Sequence, residues 1–168
     1  MPGLFPLPAA LKKINSILLF LACVVLVLSI IVAVLNMTLR PFGHPITGSF
    51  ELMGYGSALV TALGLGFSQE KKSHIAVDIL FKRFPSNLKK WFNFTGLLVS
   101  GLFFAAVAWR LFAFALDLRA NEELSETLML PFYPVTMVVS MGLLVLTANL
   151  LWDAVRIFRP ATRQGPAD

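Results

Sequence analysis

"INSILLFLACVVLVLSIIVAVL", residues 14–35, runs for 22 residues without a charge. At 1.5 Å per residue, a helix of that length covers about 33 Å, enough to cross the roughly 30 Å hydrocarbon core of a bilayer. Lys12 and Lys13 precede it, as in a secretory leader. The run is too long for a leader's apolar region, however, and no small-x-small site closes it, since Ile31 stands two residues before Ala33. The expectation is an uncleaved transmembrane helix.

Three further apolar stretches follow, over residues 50–68, 91–116 and 131–152. The 168 residues are 57% hydrophobic and 14% charged, with a mean hydropathy of +0.78. That composition belongs to membrane proteins and leaves no room for a soluble domain beside four spans. The expected fold is an all-α membrane protein, one integral membrane domain over 1–168, with a frayed tail at 160–168. The net charge of +5 lies beside apolar runs, which points to a membrane surface and not to nucleic acid. Cys23, the single cysteine, excludes an intrachain disulfide and reads as a small apolar residue of the first span.

Lys and Arg set the expected orientation. Lys12 and Lys13, the six basic residues between the second and third spans, and Arg156, Arg159 and Arg163 would share one side. Arg40, Arg110 and Arg119 would share the other. Eleven against three puts both termini in the cytoplasm of a multi-pass inner-membrane protein. Trp91, Trp109, Tyr133 and Trp152 fall where aromatic belts form. Pro131 and Pro134 suit the first turn of the fourth helix.

The connection "GFSQEKKSHIAVDILFKRFP", residues 66–85, is the charged interruption. On a helix over about 70–84, Val77, Leu80, Phe81 and Phe84 make one apolar stripe. Lys71, His74, Asp78 and Lys82 fall on another face, with Asp78 four residues before Lys82. This predicts a cytoplasmic amphipathic helix lying in the interface. Lys71, Lys72, Lys82, Arg83, Lys89 and Lys90 could then meet anionic lipid headgroups, at about 1 kcal/mol each. His74 and Asp78 are one turn apart, but no third ligand or nucleophile is evident, so a wetted polar face is preferred to chemistry.

Gly54, Ala58, Ala62 and Gly66 recur every four residues in the second span, a stripe that lets another helix approach closely. The approaching helix could belong to this chain or to a partner. Polar groups within the spans are few. A solute-carrying transporter shows midplane charges or broken helices, and this sequence has neither. It has no signature of an enzyme and none of a cofactor or metal site. The alternative of a self-sufficient, dimeric four-helix transporter would have to use Glu51, at the mouth of the second helix, as its coupling group.

Four spans, an Arg after the first, "PITGSFEL" into the second, "QEKKSHIAVD" after it and "ELSETLMLPFYPVTMVVSMG" into the fourth together resemble one family. It is the small membrane subunit of tripartite ATP-independent periplasmic (TRAP) transporters, over roughly residues 14–155. His74, Ile75, Val77 and Asp78 are the most specific piece. The sequence departs from the family at Phe50-Glu51, where members often have two adjacent acids. The resemblance implies partners: a periplasmic solute-binding protein and a large multi-spanning subunit that imports an organic acid, such as sialic acid or a dicarboxylate, with sodium. It implies that this chain scaffolds the large subunit and does not itself bind the solute. Gly54, Ala58, Ala62 and Gly66 would then make close helix contacts. Arg40, Ser49 and Glu51 would shape the entry to the second helix, and His74 and Asp78 would hold the interfacial helix.

Overall fold

A computed structural model describes residues 7–71 and 86–157. Its long helices are α1 (Ala9–Leu39), α2 (Ser49–Glu70), α3 (Ser86–Ala120) and α4 (Tyr133–Arg156). All four are long and apolar enough to cross a membrane. A single 3₁₀ turn, Arg40–Phe42, leads out of α1. Among the described residues the only β-type pairing is an isolated antiparallel bridge between Leu124 and Pro131. Each expected span lies largely within one of these helices. Pro134 sits in the first turn of α4 as expected, whereas Pro131 stays outside the helix, in that bridge. Glu70, expected to open the interfacial helix, is the last residue of α2. The rest of that helix and the tail from 160 lie outside the described residues.

The helices form an open row, not a closed bundle. α1 packs on α2, α2 on α4, and α4 on α3, while α1 touches α4 only marginally. α2 and α4 run parallel, as the pairings Ala62 with Gly142 and Gln69 with Asp153 require. α4 is the hub: 44% of its most apolar window is buried, against 6% for α1. In water the apolar faces left over would drive aggregation. In lipid they are compatible with their solvent, and the helical backbone satisfies its own hydrogen bonds.

Each seam has its own packing logic. Between α3 and α4, Ala108, Leu143, Leu146 and Leu150 make the buried core, flanked by Phe104, Val107 and Leu111. Ser140 Oγ donates to the Ala108 carbonyl across that seam at 2.9 Å. Between α2 and α4 the backbones nearly touch, because a Cβ built on Gly142 would lie 2.6 Å from the Ala62 carbonyl oxygen. On α1 a row of covered or half-covered positions runs through Leu11, Asn15, Leu18, Ala22, Val25, Ser29, Val32 and Asn36, with Leu19 and Ala33 half-covered beside it. The alternating steps of four and three along the row are those of a coiled-coil seam.

The register of α3 on α4 leaves an overhang. Leu151 packs on Gly101, and α4 ends at Arg156, whereas α3 starts at Ser86. The first ten or so residues of α3 therefore extend about 15 Å past the end of α4.

Candidate functional site

The residues singled out by sequence fall into three places. The first is the mouth of α2. Gly48 precedes the helix with φ at 75°, and the Leu128 side chain occupies the position a Cβ would take there. Ser49 is buried at the first position of the helix, and Arg40 is exposed at the start of the 3₁₀ turn. Asn36 Oδ1 accepts the Ile46 N–H at 3.0 Å and fixes the loop between α1 and α2. Glu51 lies in the first turn of α2, where the helix N-terminus favours a negative charge. Its carboxylate also reaches across to the α3–α4 loop and accepts the N–H groups of Thr127 at 2.8 Å and Leu128 at 3.2 Å.

That loop is tightly organised. Ser125 N–H donates to the Leu130 carbonyl at 2.9 Å, and Ser125 Oγ accepts the Leu130 N–H at 3.3 Å. Tyr55 meets Phe132 edge-on at 5.0 Å, and the Arg119 guanidinium lies 5.9 Å from the Tyr133 ring. Glu51 is thus a clasp between α2 and this loop.

The second place is the small-residue stripe, which divides in two. Ala62 is buried against Gly142, and Gly66 faces Asn15 and Asn149. A Cβ on Gly54, by contrast, would meet nothing within 4 Å, and Ala58 is exposed. The outer half opens onto a shallow groove of about 330 Å³ lined by Ser57, Ala58, Thr61, Ala62, Leu65, Val139 and Leu143. Ser57 Oγ and Thr61 Oγ1 donate to their own helix carbonyls, at 2.8 Å each, so the groove presents an apolar surface.

The third place is the end where α1 begins and α2 and α4 finish. Lys71 caps α2 with its Nζ 5.5 Å from the Phe67 ring, and Lys90 is exposed on α3. His74, Asp78, Lys72, Lys82, Arg83 and the Lys89 side chain lie outside the described residues.

A polar cluster at this same end escaped the sequence reading. Asn15 and Asn149, both fully buried, bond each other. Gln69 Nε2 donates to Asp153 Oδ2 at 3.2 Å, and Arg156 pairs with the other Asp153 oxygen at 3.2 Å. A signal existed: Asn15, Ala22, Ser29 and Asn36 stand seven residues apart inside an otherwise apolar helix. Small or polar side chains at a heptad spacing mark a seam.

Chemically this is a set of interhelical bonds with one ion pair inside α4. Among the described residues no group of three or more His, Cys, Asp or Glu could hold a metal ion. Comparison with curated proteins and with solved structures gave no match. The family model for tripartite ATP-independent periplasmic transporters, DctQ component, matches residues 29–160, most of the chain and three of its four helices in full. This multi-pass membrane chain accordingly belongs to the DctQ family, the small permease component of TRAP transporters.

Proposed function

We propose that this chain is the scaffold on which the large subunit of a TRAP transporter is held, and that the solute is carried by that larger partner. The family works in a tripartite complex with a large membrane subunit and a periplasmic binding protein. In this reading the chain is a single membrane domain of the inner membrane with both termini cytoplasmic. The complex takes up an organic acid, such as sialic acid or a dicarboxylate, coupled to sodium. Basic residues from Lys71 to Lys90 face anionic headgroups.

The observation that carries the scaffold role is how the polar side chains within the helices are used. Asn15, Gln69, Ser140, Asn149 and Asp153 are engaged between helices. A solute site needs convergent polar groups facing a cavity, and these face one another. The open row meanwhile leaves broad apolar faces and the groove beside Gly54 and Ala58 for a partner's helices. Glu51, the coupling group of the self-sufficient alternative, is committed to two backbone N–H groups, which weighs against that role.

The test is affinity purification of the chain from its native membrane in mild detergent, with mass spectrometry of what accompanies it. A stoichiometric, much larger multi-spanning protein is expected. Recovery of the chain alone, stable as a monomer or homodimer, would overturn the scaffold reading.

A further inference from the structure

α1 presents a problem of register. Its seam repeats every seven residues, with Asn15, Ala22, Ser29 and Asn36 at one position and Leu11, Leu18, Val25 and Val32 at the other. Ser29 Oγ is bonded to the Val25 carbonyl of its own helix, so it faces α2 as a small residue much like Ala22. Sliding α1 by one heptad, about 10 Å, would bring one small residue to the place of another and one aliphatic residue to the place of another. Apolar packing by itself discriminates poorly between such registers.

Two points on the helix do discriminate: Asn36, whose Oδ1 accepts the Ile46 N–H of the adjoining loop, and Asn15, which alone reaches across to both α2 and α4. Asn15 Nδ2 donates to Glu70 Oε2 at 2.9 Å and to Asn149 Oδ1 at 3.4 Å. Asn149 Nδ2 donates to Asn15 Oδ1 at 3.0 Å and to the Gly66 carbonyl at 3.2 Å. Both amides thereby use both hydrogens and their oxygen. Three helices meet here, and it is where α1 reaches α4. Gly66 makes the space: a Cβ there would lie 2.9 Å from Asn15 Oδ1 and 3.2 Å from Asn149 Nδ2. A slide of one heptad would leave Asn149 and Glu70 facing Ala22 or Pro8 in place of an amide, stranding the fully buried polar atoms of Asn149.

We infer that Asn15 and Asn149, seated on Gly66 and completed by Glu70, form a latch that sets the register of α1 against α2 and α4. The latch thereby decides which part of the exposed α1 face, including Ile17, Phe20, Val24, Val27 and Ile31, stands at a given depth. A single buried Asn is known to specify register in coiled coils, and replacing a buried polar pair with apolar residues of similar volume often leaves stability intact. The consequence is a separation of stability from register.

The experiment uses the full chain in native membranes with Cys23→Ser. The pair Ser29→Cys/Gly56→Cys reports the native register, because a Cβ on Gly56 lies 3.4 Å from Ser29 Cβ, near disulfide spacing. The pair Ala22→Cys/Gly56→Cys reports a shift of one heptad. Adding Asn15→Leu/Asn149→Leu is expected to lower the initial rate of native-pair crosslinking about twofold, as when a strong preference gives way to two equally populated registers, and to bring up the shifted pair. Undiminished native crosslinking would overturn the latch, leaving register to the seam. Should the double variant fail to accumulate, Gly66→Ala serves, since its methyl group occupies the space of the amides without removing either. Loss of native crosslinking is again expected, and full retention again overturns the inference.

Discussion

Gly142→Ala and Gly54→Ala are the same chemical change on neighbouring parallel helices, yet the structure gives them opposite signs. At Gly142 the added methyl would lie 2.6 Å from the Ala62 carbonyl oxygen, 2.8 Å from its carbon and 3.2 Å from its Cβ. That is roughly 0.8 Å short of ordinary contact, against a helix carbonyl that has no rotamer to change. α2 and α4 must separate, which loosens Leu143 and Leu146 in the core beyond. Overpacking of this kind costs about 1–3 kcal/mol. At Gly54 the methyl would meet nothing within 4 Å. Replacing a helical glycine by alanine there gains up to about 1 kcal/mol of helix propensity. That gain is common to both sites and cancels in the comparison, so the difference between the variants isolates the clash. For a chain of this length the separation in Tm is on the order of 2–4 °C per kcal/mol, with Gly142→Ala the lower. The assay is thermal unfolding of the purified chain, followed by far-UV circular dichroism in one mild detergent. Coincident midpoints, or a lower midpoint for Gly54→Ala, would refute the close approach of α2 and α4.

Other perturbations follow from the same geometry. Ala58→Leu fills the open groove without touching the chain's own core, so the isolated chain should unfold as the parent does while the yield of complex with the large subunit falls. Equal yield in pull-downs would show that the groove is not a contact. Glu51→Gln removes the charge from the clasp on Thr127 and Leu128, and limited proteolysis within the 121–132 loop should accelerate, whereas unchanged cleavage would mean the loop holds itself. Asp153→Ala strands both Gln69 and Arg156, and its loss of stability should exceed that of Ser140→Ala, which removes one hydrogen bond of about 0.5–1.5 kcal/mol. Unfolding midpoints in a common detergent rank the two.

Some of this architecture was legible residue by residue. An uncharged run at 14–35 can satisfy its backbone in lipid only as a helix, and the same holds for the other three spans. The family resemblance rested on "PITGSFEL", "QEKKSHIAVD" and the entry to the fourth helix, and the match over residues 29–160 establishes it. The small-residue stripe was visible, but its partner was not, because a face that permits close approach does not say who approaches. Gly66 meets Asn15 and Asn149, Ala62 meets Gly142, and Gly54 meets open space, although all lie on one stripe of one helix.

Sequence alone therefore determined the solvent of this protein, the number of its spans and its class, because hydropathy and length are properties of each segment taken singly. Tertiary structure decided the order of the row, with α4 between α2 and α3. Two neighbours in sequence, α2 and α3, are thereby separated in space by α4. It also decided the use of Glu51 as a clasp and the meeting of Asn15 with Asn149, 134 residues apart. An amide inside an apolar helix announces that it needs a partner, but which one it finds depends on where another helix has been placed.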